Sequence, residues 1–228
     1  NEGGLEHVDL QAEPGILDPP FGGDPDRDPA VAIGNTETSQ RVVDALFRAF
    51  AAAACSQGTM NNLLLGDEGF GYYETICGGS GAGPDFVGCD AVHTHMTNTR
   101  ITDPEVLESR YPIRLRRFTI RVGSGGSGRR RGGHGVIREL EATRPLRGSL
   151  LAQHRIERPY GLEGGGAGAV GLARIVRADS KVEPLAGIAA FELEAGDRLV
   201  IETPGGGGHG NETEGEPDLK RQGRTGTG

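Results

Sequence analysis

The sequence predicts an α+β protein: one long N-terminal helix and a short helix, with a mainly β, glycine-loop-rich C-terminal half. Three observations carry that expectation. Val42, Val43, Leu46, Phe47, Phe50 and Ala54 recur at helical spacing and form one apolar stripe. Beyond Pro112, short runs alternate apolar and polar residues with the two-residue period of a strand. Between those runs lie many of the 40 glycines in 228 residues. That is far above the usual ~7% and calls for tight turns in a thin, loop-rich core.

Each element follows in chain order. Residues 1–27 are acidic and carry Pro14, Pro19, Pro20 and Pro25, so they read as an extended approach segment. A helix is expected over 37–54, with Asn35 or Thr36 as cap and Glu37 in the dipole-favoured first turn. A second helix should start at Asp103, take Pro104 into its first turn and stop before Pro112. Ile113 and Leu115 alternate in one phase, and Phe118, Ile120 and Val122 in the other, so a bulge or break is expected at Arg116–Arg117. Further short strands are expected at 136–142, 149–155, 172–177, 190–193 and 198–203. The organisation expected is a polar-motif α+β region over 1–122, a mostly β region over 123–210 and a disordered tail over 211–228.

Composition excludes several functions. A net charge of -8 argues against general affinity for nucleic acid or an anionic membrane, and no apolar run approaches a membrane span. Cys55, Cys77 and Cys89 are odd in number and lack C-x-x-C spacing. They read as reduced thiols of a cytoplasmic protein. Gly123-x-Gly-x-x-Gly128 and Gly166-x-Gly-x-x-Gly171 match the dinucleotide fingerprint but precede strands, so neither is a phosphate loop. Gly78-Gly-Ser-Gly-Ala82 reads as a turn rather than a nucleophile elbow. The arginines at 114, 116, 117, 121 and 129–131 read as a solvated strand face with a basic loop, and alternatively as a docking surface for a phosphorylated ligand or an acidic partner.

The densest polar segment is Ala91-Val-His-Thr-His-Met-Thr-Asn-Thr-Arg-Ile-Thr-Asp-Pro-Glu105. A core strand has no use for so many hydrogen-bonding groups, since each one buried without a partner costs about 1–3 kcal/mol. His93 and His95, two apart, project from one face of an extended chain. With Asp90 or Asp103 they could hold a metal; they could equally position substrate or satisfy loop backbone. Asn62 and Glu74, from separate polar motifs, could orient or protonate a bound amide, or cap turns.

Taken with Gly34-Asn-Thr-Glu-Thr-Ser-Gln-Arg41, Ser56-Gln-Gly-Thr-Met-Asn-Asn62, Tyr72-Tyr-Glu-Thr75, Gly123-Ser-Gly-Gly-Ser-Gly128 and Thr203-Pro-Gly-Gly-Gly-Gly208, the segment resembles the hydantoinase B / 5-oxoprolinase family. The resemblance runs from about Pro14 to Gly210 and corresponds to the C-terminal part of the family's longer subunit. It implies an ATP-dependent cyclic amide hydrolase converting 5-oxo-L-proline to L-glutamate, inactive as this portion alone. A hydantoinase A-like subunit or domain would use ATP and Mg to phosphorylate the lactam, and a divalent metal would belong to the absent N-terminal part. No metal is assigned to this chain. His93, His95 and Glu74 become the catalytic candidates, and Asn62, Asn98, Thr99, Arg100 and Asp103 the substrate ligands. Departures from the pattern are His134, where an acidic residue is common, and His209, where an aromatic is common. N-methylhydantoin hydrolysis and ketone carboxylation by the same family remain open. So does a non-catalytic role assembling the ATP-using partner.

Overall fold

The computed structural model describes residues 8–9, 11–15, 17–28 and 34–212; the expected tail beyond 212 lies outside them. A single π-helical turn, Gly34–Thr38, leads into helix α1, Ser39–Ala49, and α2 spans Pro104–Arg110. The described residues hold nine strands: β1 Asn62–Gly66 and β2 Gly71–Glu74 precede α2, and β3 Ile113–Ile120, β4 Val136–Ala142 and β5 Leu146–Leu151 follow it. Then come β6 Leu172–Val176, β7 Val182–Leu185, β8 Ile188–Leu193 and β9 Arg198–Glu202. The class is the α+β expected.

All strand pairs are antiparallel, in two sheets ordered β2-β1-β5-β8 and β3-β4-β9-β6-β7. One core joins them: Leu63, Leu65, Leu150 and Leu193 of the first sheet cluster with Ile113, Leu140, Leu199 and Ile201 of the second, and Leu107 of α2 plugs in. The expected bulge is present, the register shifting between Leu115 and Arg117. Asp103 caps α2 by accepting from Glu105 N at 2.9 Å.

Three strands escaped the sequence reading, each for a local reason. Three consecutive leucines hide the alternation of β1, although only Leu63 and Leu65 point inward. The four-residue β2 is too short to show a period. In β7, Pro184 argues against a strand but is tolerated at a sheet edge, where β7 lies.

The helix expected over 37–54 is shorter. Ala51 adopts φ 50°, a left-handed conformation that ends α1, and Ala53 and Ala54 continue as buried extended chain. Its orientation is also the reverse of what the apolar stripe suggests. Glu37, Gln40 and Asp44 are buried, whereas Leu46, Phe47 and Phe50 are exposed.

The glycines form a structure of their own. Gly205 and Gly208 both donate to the 166–169 segment, at Ala169 O and Gly166 O. Gly206 and His209 both donate to the 130–133 segment, at Gly133 O and Arg130 O, while Gly207 donates to Cys55 O. Partners thus repeat every three residues, the period of a polyproline-II helix rather than the two of a strand. A Cβ on any of Gly205 to Gly208 would lie closer than 3.0 Å to a backbone oxygen, of Ser124, Ser80, Tyr160 or Ser127 respectively. Only glycine lets these extended segments bundle, which is why both dinucleotide-like motifs are absorbed into packing, and why Gly78–Ala82, expected as a turn, instead makes no turn and bonds to Val92, Pro204, Cys89 and Gly207.

Candidate functional site

The polar side of α1 organises the site. Gln40, Arg41 and Asp44 are spaced at helical intervals on one face of α1, and Glu37 of the preceding π turn joins them on that side. That face turns inward onto segments 55–62, 93–97 and 153–160.

Two networks meet it. In the first, Asp44 Oδ1 accepts from Ser56 N at 3.1 Å and lies 2.9 Å from His95 Nε2. A carboxylate only accepts, so His95 carries its proton on Nε2 and offers Nδ1 for other chemistry. Phe47 sets its ring edge-on to His95, centroids 5.6 Å apart. Beside them, His154 Nδ1 donates to Glu157 O at 2.7 Å, leaving Nε2 to accept from Arg41 Nη1 at 2.6 Å. Burial lowers the His154 pKa, in keeping with a neutral ring. Cys55 Sγ lies 3.7 Å from the same Nε2, but burial drives its thiol pKa far up, so the pair supplies no thiolate nucleophile.

The second network centres on Glu37, which is 3% exposed. Its Oε1 accepts from Thr59 Oγ1 (2.9 Å), Met60 N (3.2 Å) and Asn62 Nδ2 (2.8 Å), while Oε2 is buried without a partner among the described residues. Tyr73 donates to Asn62 Oδ1 at 2.6 Å, and Arg155 donates to Asn61 Oδ1 at 3.1 Å. Asn61, His95 and His154 are all non-glycine residues at positive φ, 46°, 55° and 50°. Left-handed backbone at such positions costs about 1 kcal/mol or more each. Three in one polar cluster mark a place where geometry is held against local preference.

Desolvation raises the Glu37 carboxyl from 4.5 to about 7, outweighing its three hydrogen bonds and the Arg155 charge. The folded protein therefore holds this proton while the unfolded chain releases it. The stabilisation from neutral Glu37 is complete below pH 4.5 and is lost as pH rises through about 7. The loss is on the order of 3 kcal/mol. Glu37→Gln should remove that slope, flattening the difference between urea unfolding free energies at pH 5 and pH 8 by about that amount. His93 and His154, whose pKa values burial lowers, act in the opposite sense, their stabilisation fading as pH falls below 6.5. An unchanged slope in Glu37→Gln would remove Glu37 as its source.

The sequence candidates divide between these surroundings. His95 and Asn62 belong to the α1 networks, and His93 is half-buried nearby in sequence, its Nδ1 lacking a partner among the described residues. Asn98, Thr99 and Arg100 lie exposed on the loop, Thr99 Oγ1 being 2.5 Å from Thr75 Oγ1. Arg100 makes no ion pair with Glu105 or Glu108 among the described residues; Glu108 instead accepts from Leu115 N. Asp103 caps α2. Glu74 stands apart from the α1 face, buried between the sheets, where Arg138 grips it through two bonds of 2.7 and 2.9 Å and Tyr72 adds a third. Asp90 is clamped by Arg131, which holds its carboxyl below the ordinary range. Among the described residues no three His, Cys, Asp or Glu side chains converge to hold a metal ion.

Sequence reasoning passed over Glu37, Asp44, His154 and Arg155. In the sequence Glu37 shows only a charge at a helix start. The spacing of Glu37, Gln40, Arg41 and Asp44 was a usable signal, because a second stripe opposite an apolar one defines a face.

The hydantoinase B/oxoprolinase profile matches residues 1–212. The chain belongs to the hydantoinase B/oxoprolinase family. It is 48% identical to 5-oxoprolinase 1 of Arabidopsis thaliana over 91% of its own length and 17% of that protein. It is 46% identical to 5-oxoprolinase of Dictyostelium discoideum, covering 92% of this chain and 16% of that one. The ATP-dependent caprolactamase of Pseudomonas jessenii shares the fold, with a TM-score of 0.63 at 24% identity over 76% of this chain and 33% of the other. This hydantoinase B-family chain therefore spans about one-sixth of the curated 5-oxoprolinases it matches.

Proposed function

We propose that this chain is the C-terminal region of the B-type part of an ATP-dependent cyclic amide hydrolase, with 5-oxo-L-proline as substrate and L-glutamate as product. The observation that carries the reading is the buried His95–Asp44 pair within a chain 46–48% identical to 5-oxoprolinases. An unstrained lactam is a poor electrophile. A hydantoinase A-like partner, working in the cytoplasm with ATP and Mg, transfers a phosphoryl group to the lactam oxygen and so activates the ring carbon.

Water then adds to that carbon and gives its proton to His95 Nδ1, with Asp44 holding the imidazole by Nε2. The ring C–N bond breaks with its electron pair on nitrogen, which takes up a proton. A second water releases phosphate from the resulting acyl phosphate. The exposed Arg100 offers a planar fork to the substrate carboxylate or the transferred phosphate, with Asn98 and Thr99 beside it. His93 and Asp103 flank this loop. Asn62 orients the Glu37 side of the site, and Glu74, fully bonded to Arg138, holds the framework. The divalent metal belongs to the part of the subunit outside this chain.

His95→Ala in the complete enzyme tests the reading. Glutamate release should fall by about 10²–10⁴-fold, the usual contribution of a general base, with the ATP-using partner still bound. Turnover within twofold of the wild type would make the pair structural. Arg100→Lys gives a second test, since lysine cannot reproduce two parallel bonds. KM for 5-oxoproline should rise at unchanged melting temperature, whereas normal kinetics in both Arg100→Lys and Arg100→Ala would remove the residue from recognition.

A further inference from the structure

The outward face of α1 is the feature that the chemistry leaves unused. A helix with one apolar and one polar side normally buries the apolar one. Here the polar side is inside, fixed by Gln40 bonded to Thr94 O and Thr97 Oγ1, Arg41 to His154 and Asp44 to Ser56 N and His95. The helix cannot roll without breaking all of these. Leu46 is consequently 50% exposed and Phe50 77%, with Phe47 beside them. Single exposed apolar residues are ordinary, but a stripe of large ones imposed by inward bonds marks a contact surface. Arg48, on the same turn, lies over the Tyr160 ring with its guanidinium carbon 5.0 Å from the centroid.

We propose that Leu46, Phe47 and Phe50 of α1 dock against the remaining part of a larger hydantoinase B subunit, which thereby closes over the His95–Asp44 pair. This rests on reading the chain as a region of that subunit. The occupant is chosen on length: the matched relatives carry five-sixths of their chain elsewhere, and the caprolactamase chain two-thirds. The place is chosen on contact. Phe47 packs its ring against that of His95, centroids 5.6 Å apart, so a surface covering Phe47 forms the next layer over an imidazole already buried within this chain. In this arrangement α1 serves both sides, its polar face building the site and its apolar face receiving the second wall.

Hydroxyl-radical footprinting of the complete wild-type subunit, read by mass spectrometry, tests this without requiring activity. Leu46 and Phe50 should be labelled at least tenfold more slowly than free leucine and phenylalanine, like the core residues Leu63 and Leu150. Labelling at the solvent rate would overturn the proposal. Protection that appears only as protein concentration rises, in step with dimer mass by light scattering, would assign the face to a second copy and also overturn it. Leu46→Glu and Phe50→Glu should each lower the melting temperature of the complete subunit by several degrees; no shift in either would count against docking. A subunit that protects both residues but hydrolyses no lactam keeps the docking and defeats the hydrolase reading. An active one with both residues freely labelled does the reverse.

Discussion

Gly206→Ala leaves the protein unable to reach its native state, with soluble yield near zero or stability reduced by more than about 4 kcal/mol, beyond ordinary substitutions. Gly206 sits inside the glycine bundle. Its N–H donates to Gly133 O at 2.9 Å and its carbonyl accepts from Gly126 N at 2.8 Å. A methyl group there would overlap the Ser80 carbonyl, with the Gly81 backbone just behind it. Those obstacles are main chain, so no rotamer change can relieve them. Moving either segment would break bonds on neighbours that are themselves shared with Gly205, Gly207 and Gly208. Gly71→Ala is the matched control, since nothing lies within 4 Å of its Cβ position and β2 is at a sheet edge. It should change the urea midpoint by no more than the equivalent of about 1 kcal/mol. Normal folding of Gly206→Ala would show that the bundle can spread, and the packing account of these glycines would fail.

Glu74→Ala should destabilise the fold by about 3–5 kcal/mol, the cost of leaving a buried charge without its partner. Arg138 is 1% exposed on the inward face of β4, and Glu74 meets it from the inward face of β2 in the other sheet. Phe118 lies beneath the guanidinium, 5.2 Å from ring centroid to carbon, and cannot neutralise it. Combining Glu74→Ala with Arg138→Leu should recover a substantial part of the loss, because the double change buries no charge. Urea unfolding of the two single variants and the double one gives the coupling energy directly. Strict additivity would mean that the pair does not tie the sheets together. If Glu74 instead acted on substrate, the Glu74→Ala protein that remains folded in the cold should lose turnover far beyond its loss of stability.

Much of the fold is legible locally. The limits of β4, the Leu115/Arg117 bulge and the Asp103–Pro104 start of α2 all follow from spacing within a few residues. The polar segment around His95 is legible as a candidate site for the same reason, its density of hydrogen-bonding groups being visible without any contact. What composition could not reveal is the use of the glycines. Forty of them suggest loops, whereas many stand in extended segments bonded on several sides.

The sequence by itself determined the family, the α+β class and a polar segment ending at a capped helix, because these are written in motifs and short-range periodicity. Tertiary structure alone decided which side of α1 is inward, that His95 meets Asp44 and that Glu74 is bound to Arg138. Those contacts join residues 51 and 64 positions apart, and Arg41 reaches His154 across 113. Amphipathicity says that a helix has two faces, not which one is buried. Here the inward hydrogen bonds and the desolvated Asp44 and Glu37 hold the polar face in place, and the apolar stripe is left to face outward.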